Sequence, residues 1–378
     1  MKKMLSQRIS TEVKNVLLKE NKIEKICEIP ITLDDISESI FGGISTKNLL
    51  MHRLLLPEED DSGSFYLCEG LSKPVFSEPE IVYPYVSGEF SGKFALSSLP
   101  HGFMLPYELC ERDKEKECEI IPPEELMTRF PLAYGRILEF KNQFLHDPSP
   151  LNSTDYSIIG KHLLEYLYTP KIIATEGYHL QAAYDSVGNY VFGDGCGIVL
   201  KDTSKYPYVT AVLNSPIARL FPALCKSEMI FENYTSPSVL GSFPIVFPDN
   251  RLTEDLINTI SSYLIVLYKQ IYINQIYSGY SEVPKWLREL TNFYEQTSNL
   301  LVLDSYFINS LDPKLLEALE ENINPCAGDL ETENSDSLLG SLYYIKQKIL
   351  EISKVGKYRF NMEGLTNSRY KIEYEYIH

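Results

Sequence analysis

Apolar residues fall into two regimes along this chain. After Pro248, Leu, Ile and Tyr recur at helical spacing without glycine over Leu252–Ile276 and Val283–Leu303, and again from Asp312 to Ile323 behind a Pro313 start. Two long helices and a short one are predicted, the long ones as an antiparallel pair. A polar linker, Ala327–Ser337, and a further helix, Leu338–Ile352, precede an irregular tyrosine-rich end. Before Pro248 the pattern is mixed. Lys171-Ile172-Ile173-Ala174 opens a strand behind Pro170, and apolar residues alternate with polar ones across Tyr184, the Ser186–Asn189 turn and Tyr190–Leu200. That describes a hairpin with one buried face. A short strand followed by a turn is expected over Ile81–Phe90, and a second apolar strand at Phe103–Tyr107. Helices are expected from Pro122 to Phe140, from Ile158 to Tyr168 and from Tyr208 to Leu220, where Pro216 interrupts. Thr32 is positioned to cap a helical turn that leads through Gly42-Gly43 to Ser45 and Thr46. An amphipathic, lysine-bearing helix is expected over residues 4–28, and an exposed acidic loop over residues 108–125.

A chain of 378 residues exceeds what one core usually fills, so two parts are expected: residues 1–250 and a helical region, 251–378. The net charge of -17 argues against this chain gripping a polyanion unaided, because phosphates are neutralised by clustered Lys and Arg. Seven cysteines, with no CxxC pair, suggest neither a disulfide framework nor a zinc site. Met1-Lys2-Lys3 runs into charged sequence, and the longest apolar run is far too short to span a bilayer. A cytoplasmic protein without a membrane segment is expected. The one skew is 27 Tyr beside a single Trp, which fits wet binding surfaces and half-buried sheet faces alike.

Catalytic signals are weak. Gly193-Asp194-Gly195-Cys196-Gly197 has the flavour of an S-adenosylmethionine turn, yet it runs into the strand-like Ile198-Val199-Leu200 where a helix is required. Asp147-Pro148-Ser149-Pro150 lacks the aromatic that would stack on a flipped base, so a loop is the better reading. The six histidines have no metal-ligand spacing. Neither catalytic, cofactor-binding nor metal-binding residues are assigned.

The order of motifs is more informative. Leu33-Asp34-Asp35-Ile36 with Gly43-Ile44-Ser45-Thr46, then Tyr83-Pro84-Tyr85-Val86-Ser87-Gly88, Leu105-Pro106-Tyr107, Phe130-Pro131-Leu132-Ala133-Tyr134 with Leu138–Lys141, Pro170–Ile173, Gly195–Ile198 and Leu213-Asn214-Ser215-Pro216 follow one another over residues 30–250. This succession resembles the TaqI-like C-terminal specificity domain, the target-recognition domain of adenine-specific DNA methyltransferases and restriction-modification enzymes. The resemblance implies an α+β fold, a curved mixed β-sheet with flanking helices, followed here by a helical region suited to partner docking. It also implies sequence-specific recognition of double-stranded DNA by a non-catalytic subunit. A separate adenine-specific methyltransferase subunit would hold S-adenosylmethionine, since only about thirty residues precede the resemblance. Residues expected in the DNA-contacting loops are Ser45, Thr46, Lys47, Ser87, Lys93, Lys171, Tyr178, Lys226, Asn233 and Tyr234. The rival expectation is an acidic interaction protein that regulates or inhibits such a complex without binding DNA.

Overall fold

The computed structural model describes residues 29–46, 49–55, 65–67, 74–86, 92–96, 101–112, 115–160, 162–176, 180–218, 236–277, 283–307, 313–323, 339–344 and 346. The fold is α+β. In chain order the strands are β1 (Ser37–Gly42), β2 (Ser45–Thr46), β3 (Arg53–Leu55), β4 (Phe65–Leu67), β5 (Pro74–Phe76), β6 (Val82–Val86), β7 (His101–Met104), β8 (Tyr107–Arg112), β9 (Glu115–Ile120), β10 (Ile158–Ile159), β11 (Lys171–Glu176), β12 (Leu180–Asp185), β13 (Val191–Phe192) and β14 (Cys196–Leu200). The helices used below are α1 (Leu33–Ile36), α2 (Leu49–His52), α3 (Pro123–Arg129), α4 (Pro131–Phe144), α5 (His162–Glu165), α6 (Tyr206–Asn214), α7 (Arg251–Tyr277), α8 (Lys285–Phe307) and α9 (Pro313–Ile323).

Two compact units divide the chain: residues 37–203 with 235–240, and residues 1–36 with 204–234 and 241–378. In the first, here called the sheet unit, the strands among the described residues are spread over four sheets. Antiparallel β1-β14-β11-β12 form one, β13-β6-β7-β3-β4-β5 a second, and β10-β2 and β8-β9 are two-stranded ribbons. Ile172, Ile173, Ala174 and the whole of β14 are buried. That is why these strands read as continuous apolar runs, as expected of strands covered on both faces.

Three local expectations are corrected by this topology. The Ser186–Asn189 turn does not close a hairpin. β12 pairs back onto β11, and the chain beyond the turn leaves for the other sheet, where β13 runs parallel to β6. The acidic stretch expected as a loop is the β8-β9 hairpin, in register from Tyr107↔Ile120 to Arg112↔Glu115. Its glutamates masked the period of two set by Tyr107, Leu109, Cys118 and Ile120. The helix expected at Ile158–Tyr168 is the short strand β10 followed by a single helical turn, α5. In addition, the helix from Pro122 is broken at Phe130, because Pro131 cannot donate a backbone hydrogen bond and restarts the helix as α4.

A core of Met51, Leu54, Met104, Leu126, Ala133, Ile137 and Tyr156 joins α3 and α4 to the six-stranded sheet. At its edge His52 is fully buried, stacked on Phe103 with ring centroids 5.1 Å apart. Its Nδ1 lies 2.7 Å from the Met104 carbonyl, which requires that nitrogen to carry the proton. Its Nε2 is buried with no hydrogen-bond partner.

In the helical unit, Leu256, Ile260, Leu264 and Leu267 repeat at intervals of three and four on the buried stripe of α7. That stripe packs with α6, α8 and α9. The short ladder Thr32↔Pro244, with Leu33 N–H bonded to the Phe243 carbonyl at 2.8 Å, closes the same unit. Four tyrosines tie segments of this unit together. The hydroxyls of Tyr263, Tyr294 and Tyr306 donate to the carbonyls of Ile323 (2.5 Å), Leu342 (2.8 Å) and Pro244 (2.8 Å), and Tyr208 donates to Val246. Each ring fills core volume while its hydroxyl satisfies an otherwise orphaned carbonyl on another segment. Among the described residues no helix is long and apolar enough to cross a membrane.

Burial, with a smaller opposing contribution from the Met104 carbonyl, lowers the His52 pKa to about 4. The unfolded chain therefore binds this proton first as pH falls. The stability that depends on neutral His52 is whole above about pH 6.5 and is progressively lost toward pH 4, by about 3 kcal/mol. Urea denaturation between pH 7 and 4 should show this slope, and His52→Gln should flatten it.

Candidate interaction surface on the sheet unit

Of the ten residues expected to touch DNA, the described structure holds four. Ser45 and Thr46 form β2, paired with Ile159 and Ile158, with Ser45 exposed and Thr46 half-buried. Lys93 is half-buried, its ammonium 5.9 Å from the centre of the Phe94 ring. Lys47, Ser87, Tyr178, Lys226, Asn233 and Tyr234 lie outside the described residues.

Lys171 has a different role from the one expected of it. It is wholly buried and stands opposite Asp185 across β11 and β12. Its ammonium is 3.1 Å from Asp185 Oδ2 and also donates to the Gly188 carbonyl. Burial lowers its pKa, and the Asp185 carboxylate opposes that fall. Asp185 in turn accepts the Gly188 N–H at 2.8 Å and the Tyr190 N–H at 3.1 Å. One ion pair thus fixes the whole turn after β12. Gly188 has φ +79°, and a Cβ there would lie 2.3 Å from the Thr169 carbonyl oxygen, so only glycine fits.

The same turn supports an exposed surface. Tyr168 donates its N–H to the Gly188 carbonyl at 3.0 Å and has φ 62°, a left-handed conformation that costs a tyrosine roughly 1 kcal/mol or more. Its ring is 60% exposed and Val187, on the tip of the turn, is 62% exposed. Its ring neighbour is Tyr83 on β6, 6.4 Å away between centroids and tilted by 59°. Burial first, then electrostatic interaction and a hydrogen bond with the Tyr168 phenol, pushes the Tyr83 pKa up to about 12.

Other cations of this unit are also engaged internally. Arg136 is buried and donates to the carbonyls of Met51 (2.8 Å), Leu50 (3.1 Å) and Arg53 (3.3 Å). Lys141 is buried against Asp155 at 2.7 Å, which raises its pKa, and reaches Asp147 at 3.4 Å. Arg129 is bound by Glu125 at 2.5 Å and Glu108 at 3.1 Å. Asp147 also accepts the Ser149 N–H at 3.0 Å, which makes Asp147–Pro150 a hydrogen-bonded turn.

The glycine run is a backbone crossing between the two large sheets. Gly43 N–H bonds to the Gly195 carbonyl at 3.2 Å and Ile44 N–H to the Phe192 carbonyl at 2.9 Å. A Cβ on Gly43 would sit 2.0 Å from the Gly193 oxygen. The space beside Gly193 is thus filled by the chain itself.

No family model matches this chain, and no curated protein matches it.

In the helical unit, a polar cavity of about 520 Å³ opens between Lys205, Asp249, Arg251, Glu254 and Asp255. Lys205 is bound there by Glu254 and rests 5.0 Å from the centre of the Phe247 ring. Among the described residues, no group of His, Cys, Asp and Glu is arranged to hold a metal ion.

Sequence reasoning missed Asp185, Tyr168, Tyr83 and Val187. The Asp-Ser-Val-Gly-Asn spacing was the available signal for Asp185, because an Asp three residues before a glycine commonly binds its amide. The pair carries a measurable consequence. Asp185→Asn keeps an oxygen for Gly188 but leaves Lys171 charged and unmatched, and should cost about 3 to 5 kcal/mol in urea denaturation. Adding Lys171→Met should restore most of that loss, since Tyr168 N–H still satisfies the Gly188 carbonyl.

Proposed function

We propose that this protein is the DNA sequence-recognition subunit of an adenine-specific, amino-methylating DNA methyltransferase or restriction-modification complex, acting in the cytoplasm and not catalytic by itself. One observation carries the reading. Segments whose order resembles the TaqI-like domain but that lie up to about 150 residues apart meet in one interlocked junction: Gly43-Ile44 lies against Phe192–Gly195, and β1 pairs with β14. Exposed Ser45 follows directly from that junction and offers a hydroxyl for base edges or phosphate. The S-adenosylmethionine, the base flipping and most of the phosphate-neutralising charge belong to the catalytic partner.

A second reading, an acidic protein that occupies the partner's basic cleft, is favoured by the internal use of Arg136, Lys141 and Lys171. Burial of Arg136 and Lys141 removes their positive charge from a surface whose overall charge is -17, whereas Lys171 takes Asp185 inside with it.

A titration of the chain against a random-sequence duplex pool, with and without the methyltransferase subunit and at low and moderate salt, separates the two. The recognition reading expects sequence-selective retention only when both proteins are present. A complex that excludes every duplex equally would overturn it in favour of the regulator.

A further inference from the structure

The outward stripe of α7 changes character halfway along. In the first half its positions are held by polar residues, Asp255, Thr259 and Ser262. The same stripe continues through Ile265, Val266, Lys269 and Ile273, and Leu267 is the last buried residue of the helix among those described. Ile265, Val266 and Ile271 are half-buried and Ile273 is exposed. An apolar outer face on a long helix is the pattern of one that another element covers.

The chain itself holds a segment that fits this face. Residues 4–28 lie outside the described residues, and their sequence sets Leu5, Ile9, Val13 and Val16 on one side of a helix. The charges are complementary: residues 1–28 hold seven Lys and Arg against four Glu, and residues 251–323 hold ten Asp and Glu against five Lys and Arg. The point of entry is fixed. Ile245 N–H bonds to the Ile31 carbonyl at 2.9 Å, and the neighbouring Pro244 carbonyl accepts from Tyr306 at 2.8 Å. α7 and α8 run antiparallel, with the Tyr263 ring against Tyr294 and the Tyr268 hydroxyl on Glu295 at 2.6 Å, so Tyr306 stands opposite the first turns of α7. From there to Ile273 is about 27 Å at the helical rise, and a helix over residues 4–28 is about 37 Å long. Counted back along α7 from residue 28, Ile9, Val13 and Val16 come level with roughly residues 266 to 274, where the stripe is apolar. We infer that residues 4–28 form a helix that docks in cis along α7, laying Ile9, Val13 and Val16 over Ile265, Val266 and Ile273.

The test replaces Ile273 with the photo-crosslinker p-benzoylphenylalanine in the full chain, with ¹⁴N- and ¹⁵N-labelled protein mixed before irradiation. The expected result is an adduct within a single chain, mapped by mass spectrometry to residues 5–16. An adduct joining labelled to unlabelled chains makes a second copy the occupant and overturns the inference. An adduct to any other part of the chain overturns it too, as does no adduct. In the same background, Val13→Asp sets a charge into the contact and should lower the yield of that adduct about tenfold. Thr11→Asp, on the opposite side of the helix, should leave it within about twofold. Equal loss or equal retention in the two variants shows that the apolar stripe does not hold the segment and sinks the proposal. Neither DNA nor a methyltransferase subunit is present, so the outcome leaves the proposed function to its own titration.

Discussion

The sheet unit depends on a charge that it keeps inside. Lys171 and Asp185 face each other where β11 begins and β12 ends, and the aspartate also accepts the amides of Gly188 and Tyr190. Two ions buried without such bonds would be a net liability. Here the carboxylate organises a turn while the ammonium closes onto a carbonyl of the same turn. The turn sends the chain from one sheet to the other, where β13 runs beside β6. The short β13 has two paired residues, too few to hold that register unaided.

The second constraint is proximity of backbones. Gly43 and the Phe192–Gly195 segment lie closer than any side chain permits, and of the strands that leave this crossing β1 and β14 pair in one sheet while β13 and β2 join two others. Sheet assignment therefore follows from the crossing rather than from propensity. The glycines that suggest a cofactor turn when read in isolation are the residues a close crossing needs.

Legibility in the sequence tracked how local each determinant is. The pattern around Leu256, Ile260 and Leu264 announced α7 almost to its ends, because helical burial repeats within the element itself. The sheet unit was harder. Glu108 and Glu119 made a strand pair look like a loop, and the Ser186–Asn189 bend was legible as a bend while its strand partners were not. Lys171 illustrates the limit for the candidate site. A lysine opening a strand is ordinarily solvated, and only the register that sets Asp185 opposite it reveals a buried ion. Tyr168 was invisible for a related reason, since no side-chain pattern encodes a positive φ in a residue that seldom adopts one.

The tyrosines that bridge segments in the helical unit give the protein an optical property. Burial pushes the hydroxyls of Tyr208 and Tyr306 far above the ordinary phenol range, and each is held to a carbonyl. A phenol absorbs differently once it loses its proton, and these two can lose theirs only by giving up the bonds that join α6 and α8 to the segment at Pro244–Val246. Alkaline ionisation of these two phenols and opening of that junction are thus coupled, and phenolate absorbance responds to both.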